Sequence, residues 1–269
     1  MGVSSSYLNS CSSDKSRQRI ESELKRLAKL MCLKHIDNID WSQFDRARVL
    51  ELLSQPDLKK RTASSQNFTL SVIKRLCEEA CYAKQLTDTQ FLSIKRIPNF
   101  RSVRCPAPAC LTWADMSKML RVCLHEGTNK GIRDAAILAV GLGCGLRRSE
   151  IATLYIDNID FANNLVRVIG KGNRERYIGL NHCVQEYLQR WLQLRGRGGS
   201  PYCFAPLDRG EHIITTRPLN DETIYLVVQK RSLSALGRHI CTHDLRRAFA
   251  SHMLFIASIG SAMRLLRIA

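Results

Sequence analysis

The chain has 269 residues, 45% of them hydrophobic, which is enough to bury a core in one or two domains and excludes a disordered tail. Lys and Arg number 41 against 24 Asp and Glu, a net charge of +17 that points to a polyanionic partner, nucleic acid first. No run approaches the roughly 20 apolar residues of a membrane span, MGVSSSYLNS lacks the apolar stretch of a secretory signal, and the eleven cysteines are scattered without metal spacing, reading as small core residues of a reducing cytoplasm.

Residues 1–13 are Ser-rich and are expected to be disordered. Ile20, Leu24, Leu27 and Met31 stand at helical spacing and predict a helix over 14–34. A shorter helix carries Val49, Leu50, Leu52 and Leu53 and is limited by Pro56. A third runs over about 64–84, with Val72, Ile73, Leu76 and Ala80 as its stripe. Residues 14–98 therefore predict an all-α unit. KRIPNFRSVRCPAPAC, at 95–110, has three prolines, four basic residues and no period, which predicts a linker over 99–110.

A second domain starts at 111. Thr112 is placed to cap a helix with Asp115 in its first turn. RDAAILAVGLGCGLRRSEIATL gives a buried helix, a glycine-rich break and another helix. Gly141, Gly143 and Gly145 do not make GxGxxG and follow no strand, which excludes a dinucleotide loop. Short β-branched runs around Ile156, 166–169 and 177–180, separated by turn signals at NN and GKGN, predict a small three-stranded antiparallel sheet. Helices follow at about 183–195, 221–236 and from 242, with loop over most of 196–220. The fold class is mainly α with a small three-stranded antiparallel sheet: a helical domain, then an α+β domain.

Three segments carry candidate chemistry. In GLGCGLRRSEIATL, Arg147 follows the glycine break at a helix start, with Glu150 one turn on; alone this is a surface pair of little energetic consequence. In VIGKGNRERYIGL, Lys171 sits at a hairpin tip between glycines, outside any P-loop pattern. In THDLRRAFASHML, His243 and Arg246 share one helix face, while His252, nine residues on, points the opposite way. Helical spacing does not choose between Arg246 and Arg247. Taken together, two arginines can clamp one phosphate with planar forks that keep their charge. A histidine can hold the same group, and a lysine can deliver a proton to a leaving oxygen. That is a site for phosphoryl transfer. No carboxylate cluster is arranged for magnesium, so neither metal nor cofactor is expected.

In order, spacing and intervening sheet, these segments resemble the tyrosine recombinases of the phage-integrase type, over about residues 14–254. The resemblance makes Arg147 the first catalytic arginine with Glu150 its helper, Lys171 the catalytic lysine, and His243 and Arg246 the second box, which decides for Arg246 over Arg247. It implies a helical, SAM-like core-binding domain over 14–98 and a catalytic domain over 111–269 that together clamp duplex DNA. It implies tetramers on DNA, and cleavage and rejoining through a phosphotyrosyl link. It also exposes a departure. The tyrosines stand at 7, 82, 155, 177, 187, 202 and 225, all ahead of the second box, and no nucleophile helix is expected in FIASIGSAMRLLRIA. The catalytic domain is thus expected to be incomplete at its C-terminus, from a frameshift or early stop, a deliberate shortening, or a natural short form. Tyr177 and Tyr225 are expected to pack within the sheet and a helix. The function expected is a site-specific recombinase that is inactive alone, or a non-catalytic protein that binds recombination sites, working on the chromosome in the cytoplasm.

Overall fold

The computed structural model describes residues 2–101, 110–170 and 174–266, with side chains through Ile256. The chain divides into two units, Met1–Ala107 and Pro108–Ala269. Most of the expected linker, 102–109, lies outside the described residues.

The first unit opens with α1 (Val3–Asn9), so the disorder expected over residues 1–13 does not hold from Val3 onward. Val3 and Tyr7, four apart, are buried on one face, and Ser4 N and Oγ both donate to the Asp37 carboxylate at 2.8 Å. A helix this short shows no sequence period; its order comes from what it packs on. Then come α2 (Asp14–Leu30), α3 (Arg46–Ser54), α4 (Pro56–Lys59), α5 (Ala63–Tyr82) and α6 (Asp88–Lys95). Pro56 ends α3 and also opens α4 at its first position, where a missing N–H costs nothing. The expected helices lack α6, whose start is set by a capping box between Thr87 and Gln90 and whose Ile94 is buried. Leu24, Leu27, Leu52, Leu70, Ile73, Leu76 and Ile94 fill the core.

In the second unit, α7 (Trp113–His125) opens on a Thr112–Asp115 capping box. Next are α8 (Asn129–Gly143) and the short α9 (Arg148–Ala152). The sheet runs β1 (Ile159–Asp160), β2 (Leu165–Ile169), β3 (Glu175–Gly179), antiparallel in that order. The helices α10 (His182–Arg195), α11 (Asp221–Leu236) and α12 (Thr242–Leu266) complete it. The fold is mainly α with a three-stranded antiparallel sheet, as the sequence predicts. The first strand is displaced from its expected place: Ile156 lies in a 3-10 turn, because its N–H bonds Pro201 O and Tyr155 bridges Tyr202 instead of the hairpin. Tyr177 is 65% exposed rather than packed, since it falls on the outward register of β3. Tyr225 is half-buried on α11, its hydroxyl accepting from Gln229 Nε2.

Helix α8 is buried on nearly every side and packs against α7, α10 and α12. Its close approach to α12 depends on Gly141, where a Cβ would lie 2.8 Å from Leu245 Cδ1. No described helix is long and apolar enough to cross a membrane.

An ionic knot ties α7, α8 and α11 together. Arg231, 1% exposed, donates to both oxygens of Glu126 and, from Nε and Nη2, to Asp134 Oδ2 at 2.9 and 2.8 Å. Arg133 holds the other Asp134 oxygen at 2.8 and 3.1 Å. Removing one partner of such a set strands a buried charge. Arg231→Ala is expected to cost about 3–5 kcal/mol, read as a lower urea midpoint by circular dichroism.

Candidate functional site

The glycine break ends α8 and turns the chain through Gly145, whose φ of +60° is the left-handed region that favours glycine. A Cβ there would also sit 2.4 Å from Phe249 Cδ1 on α12. The turn delivers Arg147 to the N-cap of α9 in an extended conformation. Glu150, at the third helical position, reaches back: Oε2 accepts from Arg147 N at 2.8 Å and Oε1 from Arg147 Nη1 at 2.9 Å.

This is no surface pair. The Glu150 side chain is 4% exposed, while that of Arg147 is 55% exposed. Glu150 has a second partner that the sequence did not reveal. Arg176, on β3, donates from Nη1 to Oε1 at 3.0 Å and from Nη2 to Oε2 at 2.7 Å. Burial pushes the Glu150 carboxyl up, but the hydrogen bonds from Arg176 and Arg147 outweigh it and hold the pKa at about 2.

Helix α12 brings the second box to the same place. Cys241 N donates to Asp244 Oδ2 at 3.1 Å and fixes the helix start. Arg246 Nη1 donates to Gly145 O at 2.7 Å. Burial, then repulsion from Arg147 and Arg176 against the attraction of Glu150, holds the Arg246 guanidinium below its ordinary value. Arg247 instead pairs with Asp244 at 3.4 Å on the exposed face. His243, one turn before Arg246, is exposed. His252 faces elsewhere: Nε2 lies 2.9 Å from Leu111 O, and its ring covers Trp113 with centroids 4.2 Å apart.

Lys171 lies outside the described residues. The base of its turn is beside the cluster: a Cβ on Gly170 would be 3.4 Å from Arg176 Nη1 and 3.6 Å from Glu150 Oε1. The structure thus gathers Arg147, Glu150 and Arg246, adds Arg176, and sets His243 on the same helix as Arg246. Two guanidiniums clamp one carboxylate and that of Arg246 lies within electrostatic reach of all three, so these four side chains carry a net +2. Among the described residues no three His, Cys, Asp or Glu side chains converge as a metal site. What this arrangement holds well is a small, doubly oxygenated anion, met by planar forks.

Comparison with known proteins bears on the same residues. The sequence pattern of the phage integrase family matches residues 110–255, more than half of the chain.

The chain belongs to the phage integrase family.

Among its relatives, tyrosine recombinase XerC of Vibrio atlanticus is 30% identical over 220 residues, covering 80% of this chain and 66% of the relative. The XerC of Vibrio cholerae serotype O1 is 29% identical over 219 residues, with the same coverage. The chain therefore spans just under two thirds of the length of these relatives. Its fold is similar to that of a lambda integrase dimer bound to a COC′ core site, with a TM-score of 0.65 at 14% identity, over 91% of this chain and 88% of that one. It is also similar to the Tn1549 transposon integrase in complex with a circular intermediate DNA, with a TM-score of 0.68 at 16% identity, over 95% and 87%.

In this phage-integrase chain the buried carboxylate gives a measurable pH signature. Its folded pKa of about 2 lies below the ordinary 4.5, so its stabilisation is full above pH 4.5 and is lost as pH falls toward 2. Glu150→Gln is expected to destabilise the protein by about 3 kcal/mol at neutral pH. The gap from the parent should narrow between pH 4.5 and 2 in urea titrations.

Proposed function

We propose that this chain binds duplex DNA at a recombination site and grips one backbone phosphate with Arg147, Arg246 and His243. Lys171 is the group that would meet the leaving oxygen, and Glu150 the helper that holds Arg147. The supporting observation is the net +2 of the four-residue cluster, on an otherwise strongly basic chain. Such a cluster is electrostatically incomplete without an anion, and a phosphodiester supplies both the charge and the paired oxygens that guanidinium forks fit.

The reaction class is site-specific strand cleavage and rejoining through a phosphotyrosyl intermediate, with a homotetramer on DNA as the assembly. The arginines would stabilise charge developing on the scissile phosphate, and the linked state would conserve the bond for rejoining. No tyrosine stands after Tyr225 within these 269 residues. Alone, the chain is proposed to bind and not to cut. Its place of action is the bacterial chromosome in the cytoplasm.

The test uses duplexes selected by this chain from a random pool, then rebuilt with nicks tiled across the bound segment to trap cleavage. The expected result is retained complexes without a covalent adduct on denaturing gels. An adduct would show that the chain cuts alone. In the same assay Arg147→Ala and Arg246→Ala should each weaken binding about tenfold and lower the salt slope by about one contact. Affinities unchanged by both substitutions would remove the phosphate site.

A further inference from the structure

We infer that Arg176 is a positioning residue of this site: from β3 it holds both oxygens of Glu150 and thereby fixes the direction of Arg147. The inference rests on the phosphate site proposed above.

The geometry is a shared clamp. Each Glu150 oxygen takes one donor from each arginine: Oε1 from Arg147 Nη1 and Arg176 Nη1, Oε2 from Arg147 N and Arg176 Nη2. Arg147 makes its two bonds from a backbone N–H and one guanidinium nitrogen at a helix start, whereas Arg176 adds a guanidinium fork from the strand, so that each oxygen is held from two elements. The carboxylate is thereby anchored to the sheet as well as to α9, and the guanidinium of Arg147 that it holds is anchored with it. Among the described residues, Arg147 Nη2 and Nε have no hydrogen-bond partner, so the clamp uses one edge of that fork and leaves the other for an anion.

Arg176 is built to brace. It stands opposite Val168, whose side chain is buried, on the inward register of β3. Its side chain is 32% exposed, against 55% for Arg147. It is also five residues after Lys171, on the strand that leaves that turn. One side chain therefore ties the base of the GKG hairpin to the first arginine box. A lysine at 176 would keep the charge but could not reach both oxygens with a planar fork.

This separates three roles. A brace acts only through Arg147, a direct phosphate contact acts independently of it, and a purely structural pair changes stability alone. The measurement is a double-mutant cycle on the affinity for a fluorescent duplex, with melting curves as the control for folding. Arg176→Gln is expected to weaken binding about fivefold, and Arg147→Ala/Arg176→Gln to bind no worse than Arg147→Ala alone. Arg176→Lys should fail to restore binding, and it replaces Arg176→Gln in the cycle if the latter does not melt cooperatively. Multiplying losses would overturn the inference, because Arg176 would then touch DNA itself. So would full affinity in a folded Arg176→Gln, or rescue by lysine. An Arg147→Ala chain that binds as tightly as the parent would instead remove the phosphate site, and this inference with it.

Discussion

Glu150 has almost no access to water, yet it is held charged, and the candidate site is organised around that condition. Taking a carboxylate out of water is expensive unless hydrogen bonds and positive charge replace the lost hydration. Here the replacement comes from two directions, a helix start and a strand. The same groups that satisfy Glu150 are thereby fixed in space. Two guanidiniums that would repel one another in open solution are kept together by one acid, and a third, that of Arg246, is held near them by the Gly145 carbonyl. The surplus positive charge makes the place receptive to an anion.

The second requirement is that the two arginine boxes meet, although about a hundred positions separate them in the chain. Side chains of ordinary size on α8 and in the turn after it would keep α12 away. Gly141 accepts Leu245 and Gly145 accepts Phe249. Once α12 is seated, Arg246 returns a hydrogen bond to the Gly145 carbonyl. The glycines that look like a failed nucleotide loop in the sequence are therefore a seat for a helix.

Much of this was legible in the sequence, and the exceptions have physical causes. Arg147 and Arg246 stood out because each lies in a local pattern whose period and flanking residues are visible along the chain. Arg176 did not, because its role depends on strand register. The expected strand began at Tyr177, two positions past Glu175, and so left out the inward-facing arginine. The alternation of Val166, Val168 and, across the ladder, Arg176 and Ile178 would have been the signal: an arginine on the face that valines bury. Helix α1 was missed because two buried side chains make no period. The burial of Glu150, which separates an inconsequential pair from an organising one, cannot be read from spacing at all. Nor can the choice between Arg246 and Arg247 be read from spacing; the structure shows one turned to Gly145 and the other paired with Asp244 on the exposed face.

The seating of α12 on glycine has a bearing on how such proteins can be recombined by design. The hollow at Gly145 is matched to the ring of Phe249, and the hollow at Gly141 to the branched end of Leu245. A chimera that takes the second box from one relative and the glycine segment from another would pair a socket with the wrong plug. Crossover points therefore belong outside 141–249, so that both halves of the fitting travel together.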